Sequence, residues 1–230
     1  MKRIRPFALL GMAVLLLSGC KFMTFTELYI SDAELLGAGK VESIPANISI
    51  AIEMPSEEKC LERSMEIVDM LGQYFTKAKF DRCASEGIND FLSVKAQVQV
   101  IRADKLEKIV DQSQGFMFFL VRKKGNGLEV FPFILRPRYD QFRGVIKQRY
   151  GMDIETDDLE LNVVLRNDAK AVRVVNVCSA YIDRQPVPMC GSITLSGREY
   201  IDVLVSDIHA EYLVVNGFSE QPLMTISKEQ

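Results

Sequence analysis

The nine residues from Leu92 to Val100 alternate without a break. Leu92, Val94, Ala96, Val98 and Val100 fall on one side, and Ser93, Lys95, Gln97 and Gln99 on the other. A period of two sends successive side chains to opposite faces, so this run reads as a half-buried strand of a sheet. Leu159 to Arg166 alternates in the same way. Further strand-like runs cover 24–31, Ile48 to Met54, Phe116 to Arg122 and Leu128 to Ile134. Gly125-Asn126-Gly127, between the last two, is a hairpin signal.

Helical periodicity is confined to the first two thirds of the chain. Leu61, Met65, Val68, Leu71 and Phe75 form one apolar stripe. Ser56 stands where an N-cap belongs, and Glu57 and Glu58 suit the positive end of the helix dipole. This helix is expected to run to about Ala78, with others over Ala103–Gln112 and Arg138–Tyr150. From Leu159 onward the pattern is almost wholly β, with strands expected at Val172–Tyr181, Ser192–Leu195, Tyr200–Val205 and Glu211–Val215. Turn signals lie at Asn167-Asp168, Pro186 to Pro188, Ser196-Gly197 and Asn216-Gly217. The expected fold class is therefore α+β: an α+β part over 20–150, then an antiparallel all-β part over 151–230. The acidic stretch Gly151–Asp158 divides them, and the tail from Ser219 is expected to fray.

The N-terminus has a separate logic. Lys2, Arg3 and Arg5 precede an apolar stretch from Phe7 to Leu17, too short to span a bilayer as a helix and of the length found in export signals. Leu17-Ser18-Gly19-Cys20 follows and resembles the bacterial lipobox. The resemblance implies cleavage before Cys20, diacylglycerol on its thiol and acylation of the new amine, a durable membrane anchor. Lys21 in the next position points to the outer membrane. An uncleaved N-terminal membrane helix is the competing reading. Removing a 19-residue leader from 230 leaves 211 residues, enough for one large or two small domains, and loss of its three cations takes the net charge from −3 to −6. That balance excludes a general nucleic-acid binder and gives no electrostatic pull toward an anionic bilayer.

With Cys20 assigned to lipid, Cys60, Cys83, Cys178 and Cys190 remain. An oxidising periplasm would pair them as two disulfides, and three pairings are open. Proximity favours Cys60–Cys83 and Cys178–Cys190, the second bracketing an apparent hairpin. A zinc site fails on spacing, because there is no C-x-x-C and the single histidine is His209.

The lipobox with Lys21, the stretch IAIEMPSEEKC at 50–60, FTKAKFDRC at 75–83 and the strand FLSVKAQVQV at 91–100 together resemble a group of small uncharacterised lipoproteins of enterobacteria and their phages. In such proteins a strand leads to a Cys, a helix, a second Cys and another strand. The resemblance supports the Cys60–Cys83 pairing and implies no activity.

Few residues group in a way that carries chemistry. His209, in Ser206-Asp207-Ile208-His209, has no nucleophile elbow to serve and reads as a surface or turn histidine. Asp153, Glu155, Asp157, Asp158 and Glu160 lack the EF-hand pattern and read as a solvated loop. Arg136, Arg138, Arg143, Lys147 and Arg149, interleaved with Tyr139, Phe142 and Tyr150, make the one basic segment bearing aromatic residues. Arg136, Arg138, Tyr139, Phe142, Arg143 and Arg149 are the candidate contact surface, Arg and aromatics being enriched at interface hot spots. No catalytic set, metal or cofactor is expected. The expected partners are the membrane, through lipid on Cys20, and an unidentified envelope protein or polymer. The chain thus reads as a lipid-anchored, non-enzymatic binding or structural module facing the periplasm. The alternatives are a phage- or mobile-element-encoded exclusion factor acting on an envelope receptor, and an unrecognised envelope hydrolase. Cys20→Ser is expected to leave an unprocessed precursor that incorporates no palmitate; normal cleavage and labelling of that variant would refute the lipobox reading.

Overall fold

The alternating runs do form strands, but they close on one another instead of dividing into two parts. The computed structural model describes residues 21–228, so Cys20 lies outside the described residues. In chain order the elements are β1 (Phe22–Tyr29), α1 (Ile30–Gly37), β2 (Ser43–Met54), α2 (Glu57–Leu71), β3 (Thr76–Glu86), β4 (Asn89–Arg102), α3 (Leu106–Gln112), β5 (Met117–Lys124), β6 (Gly127–Ile134) and α4 (Arg136–Tyr150). There follow β7 (Leu159–Arg166), β8 (Arg173–Ile182), β9 (Gln185–Leu195), β10 (Tyr200–Val205), α5 (Asp207–Asn216) and β11 (Met224–Lys228). Among the described residues, nine strands form a closed ring in the order β10-β7-β1-β2-β4-β5-β6-β11-β8 and back to β10. Strands β3 and β9 pair outside it, on β4 and β8.

The period of two explains the barrel's interior. Ile48, Ile50 and Ile52 of β2, Leu92, Val94 and Val98 of β4, Leu161, Val163 and Leu165 of β7, and Val175 and Val177 of β8 share one buried cluster. Their neighbours Lys95, Gln97 and Asn162 point the other way. Apolar inside and polar outside is the reverse of a membrane-spanning barrel's arrangement. Among the described residues no helix is long and apolar enough to cross a membrane. Helix α1 plugs one end with Ile30, Ala33 and Leu36. Helices α2, α4 and α5 cover the other, where β1, β4, β5 and β7 begin, β2, β6 and β10 end, and β8 turns. There Phe142 of α4 packs against Phe22, Tyr74 and Phe116, with ring centroids 5.3, 5.3 and 4.9 Å away.

The expected division near 151–158 is corrected by this topology. The first part supplies β1, β2, β4, β5 and β6, a curved sheet with two bare edges. The second part seals both: β7 runs parallel to β1 from Phe22↔Leu159 to Tyr29↔Arg166, and β11 pairs with β6. Bare edges leave backbone groups unpaired, so neither part satisfies its hydrogen bonds without the other.

Ring closure imposes a constraint of orientation. Around the ring, seven neighbouring pairs are antiparallel and two are parallel. Straight strands cannot close with an odd number of antiparallel pairs, because each such pair reverses direction once. One strand must turn within itself. Strand β8 is the one whose two ring partners do not overlap: Arg173–Val177 pairs with β11, and Ala180–Ile182 pairs with β10. Between them the register slips, and Ser179 has φ +53°, in the left-handed region that costs a non-glycine residue about 1–2 kcal/mol. The disulfide Cys178–Cys190, with Cα atoms 4.1 Å apart, ties β9 to β8 at this corner. The other disulfide, Cys60–Cys83, joins α2 to β3.

Several local expectations are corrected as well. Residues 30–37 form α1 instead of extending the first strand, since Ile30, Ala33 and Leu36 make a helical face. Helix α2 is capped by Ser56 as expected, with Lys59 N donating to Oγ at 3.2 Å, but it stops at Leu71, and residues 76–86 form β3. Its phase also differs: Cys60, Ser64, Ile67, Val68 and Leu71 are buried, while Leu61 and Met65 are 58% and 64% exposed. The Cys60 disulfide turns that face toward β3. The β8–β9 turn falls on Asp183 and Arg184, at φ +46° and +66°, in place of Pro186–Pro188. Positive φ at both central residues matches the twist of a two-residue hairpin. The run Glu211–Val215 is helical, within α5.

Within the described residues the tail does not fray. β11 lies between β6 and β8, with Leu223 and Met224 fully buried and Ile226 nearly so. Met224→Ala should therefore cost about 2–5 kcal/mol in chemical denaturation. Ile88→Ala, at a fully exposed turn, should shift the midpoint little.

Candidate functional site

The corner in β8 opens a cleft of about 500 Å³ between the tip of the β8–β9 hairpin, the first turns of α5 and the segment after α5. The hairpin contributes Ser179, Ala180, Tyr181, Pro186 and Val187. Helix α5 contributes Ser206, Ile208, His209 and Tyr212, and Ser219 and Gln221 complete the wall. None of these side chains is an acid, a lysine or an arginine. Ile208 is 82% exposed at the mouth.

The start of α5 is fixed on the corner itself. The Ser206 amide donates to the Ser179 carbonyl at 3.2 Å. The Ser206 hydroxyl accepts from the His209 amide at 3.4 Å, an N-cap. This places His209 in the helix's first turn, 7% exposed, with neither ring nitrogen making a hydrogen bond of full geometry. Burial pushes the imidazole's pKa below its ordinary value, and the nearby Ser179 carbonyl opposes this only in part. The ring's donor is served only by the poorly aligned Ser179 carbonyl, and its acceptor has no partner, which costs about 1–3 kcal/mol while unmet. A hydroxyl, amide or carboxylic acid group entering the cleft would satisfy it.

A second groove lies beyond Ile208, which lines both. It carries Glu155, Asp157, Asp207 and Glu211 with Arg143. The acidic run 153–160 is distributed among different tasks. Asp153 binds Lys147 and Arg143, and both bonds help hold its carboxyl below the usual carboxylate range, the Lys147 hydrogen bond most. Glu155 and Asp158 cap each other's backbone around a single 3₁₀ turn. Glu160 meets Lys21 at 3.4 Å. Among the described residues no His, Cys, Asp or Glu cluster is placed to hold a metal ion.

Comparison with protein families returns a match over residues 24–229, described as a domain of unknown function, DUF7424. The chain belongs to the DUF7424 family. No curated protein matches it. The DUF7424 match runs from inside β1 to the end of β11, so the family's unit is the whole barrel, with the corner and cleft included.

The basic segment sits elsewhere in the DUF7424 barrel and does not present the expected surface. Tyr139 and Phe142 are fully buried. Burial pushes the Tyr139 hydroxyl up to about 12. Arg138 donates to the carbonyls of Val110 and Gly115, both at 3.0 Å, so it acts as a clamp on the α3–β5 connection. Arg136 reaches the Val215 carbonyl and Asp140, and Arg143 lies 3.5 Å from Asp153. Arg149 is exposed. The aromatic members face the core because the i, i+3 step from Tyr139 to Phe142 is the helix's buried stripe. His209, read from sequence as a surface or turn residue, is the buried one. The missed signal was Ser206-Asp207, a cap and an acidic first turn, which marks a helix start.

The depressed imidazole pKa has a definite sign. The unfolded histidine, near pKa 6.5, binds its proton before the folded one does, so His209 contributes fully above that value. Stability should hold steady above about pH 7 and fall as pH drops below about 6.5, before carboxylates titrate. His209→Gln should remove that part of the decline, which thermal melts from pH 7.5 to 5 would report; an unchanged profile would refute it.

Proposed function

We propose that this chain is a lipid-anchored binding module of the bacterial envelope, and that its working surface is the cleft beside His209. The observation that carries the reading is the poorly partnered imidazole on the wall of an uncharged cleft. A buried acceptor left unmet and a donor poorly served by the Ser179 carbonyl lower stability, and the arrangement is favourable when a ligand supplies better partners. Two disulfides support an oxidising compartment, and the lipobox supports the anchor. The ligand class that fits is an apolar group carrying one hydrogen-bonding function.

A suitable probe is the uncharged dye N-phenyl-1-naphthylamine, whose emission rises in apolar surroundings. It should bind saturably and shift the NMR signals of the imidazole, which belong to a single histidine. Tyr212→Arg, a charge on a half-exposed wall residue, should weaken binding about tenfold, near 1.4 kcal/mol, while the protein still melts cooperatively. Asn126→Arg at the opposite end should bind like the parent. Binding that is unsaturable, or indifferent to Tyr212→Arg, would refute the cleft as the site.

A further inference from the structure

The start of the barrel leaves no room for a tether. The Lys21 amide donates to Glu53 Oε2 at 3.3 Å, its carbonyl accepts from the Glu53 amide at 2.9 Å, and its Nζ lies 3.4 Å from Glu160. Phe22 is already paired with Ile52 of β2 and Leu159 of β7, and is fully buried. Two residues of chain reach at most about 7 Å. A flexible 20-residue spacer, by contrast, would give an end-to-end distance of about 25 Å.

We infer that, with lipid on Cys20, the barrel is held end-on against the bilayer, with the end covered by α2, α4 and α5 toward lipid. The inference rests on the lipid-anchor reading above and adds the orientation and the contact surface. Topology decides which end it is. Strand β1 starts there, β2 ends there and leads straight into α2, and β10 ends there and leads into α5. The hairpin at Gly125-Asn126 and helix α1 lie at the far end.

That face has the chemistry of a surface held by its anchor. Leu61 and Met65, one turn apart on α2, and Ile208 on α5 are large apolar side chains left open to solvent. Around them stand Glu57, Glu58, Asp207 and Glu211, which repel an anionic surface, while Glu62 is paired with Lys59 at 2.6 Å. The partner that fits is therefore a zwitterionic leaflet. Three apolar side chains among these acids are too few to hold the barrel there; the acyl chains supply affinity and the missing spacer supplies orientation. The cleft beside His209, whose mouth Ile208 forms, then opens close to the interface, within reach of membrane-borne molecules.

The chain contains no Trp, so single-Trp reporters can be read without background. Leu61→Trp, Ile208→Trp and Asn126→Trp would be made in the full-length lipoprotein and reconstituted into phosphatidylcholine vesicles with dibrominated acyl chains. Emission from positions 61 and 208 should be largely lost to bromine quenching, and that from 126 retained. Inserting a 20-residue Gly/Ser spacer between Cys20 and Lys21 should restore emission at 61 and 208. Equal quenching at all three positions, none at 61 and 208, or quenching that survives the spacer would overturn the orientation. Mass analysis of the N-terminal peptide separates the two failures. An unacylated Cys20 removes the anchor and the orientation with it, whereas an acylated Cys20 with unquenched 61 and 208 removes the orientation alone.

Discussion

Closing a ring with an odd number of antiparallel pairs is impossible for straight strands, and the rest of this molecule is arranged around the place where that mismatch is absorbed. Strand β8 reverses at Cys178–Ser179. Ser179 adopts a left-handed conformation there, and three interactions hold it: the Cys178–Cys190 disulfide, the Ser206 amide on the Ser179 carbonyl, and the pairing of Ala180–Ile182 with β10. Strain of this kind persists only where the surroundings over-determine it. The same turn carries the chain across to β10, where the Asp183 amide donates to the Asp202 carbonyl at 3.0 Å, and leaves the cleft between the hairpin and α5. The first turn of α5 is docked on the corner, so His209 is buried as a consequence of ring closure.

The two ends of the barrel differ in character. The α1 end is finished by a short helix and by charged pairs such as Arg173 with Glu34 at 2.6 Å. The other end carries three helices, an aromatic cluster around Phe142, the acidic groove and the cleft. It is also the end from which the chain's N-terminus departs. The proposed binding cleft and the proposed anchor thus share one end.

How far the fold could be read depends on whether neighbours in sequence or neighbours in space decide each element. The strands over 92–100 and 159–166 were legible because their side-chain alternation is a local property. The Ser56 cap and the 125–127 hairpin were legible for the same reason. The phase of α2 was not, because Leu61 and Met65 are as apolar as the residues that replace them inside, and the choice falls to the Cys60–Cys83 bond. β11 looked like a fraying tail because five residues near a terminus carry too little pattern. Its burial comes from a gap between β6 and β8 that exists only in the closed barrel. Tyr212, Val214 and Val215 are β-prone and predict a strand over Glu211–Val215, and docking at the β8 corner overrides that preference.

The candidate site divides in the same way. Both disulfides followed from sequence proximity, since short loops bring partners together. The basic segment was correctly read as a helix, yet its aromatic residues were assigned to the surface, because composition does not tell which stripe of a helix meets a core. By itself, then, the sequence determined the strand faces and the Ser56 cap, set by residues within a few positions of one another, and the cysteine pairs, 23 and 12 residues apart. Only the tertiary structure decided that the strands close into one barrel, that β8 must turn, and that His209 is buried against the corner. Those outcomes depend on the summed orientation of nine strands, a quantity no local stretch of sequence contains.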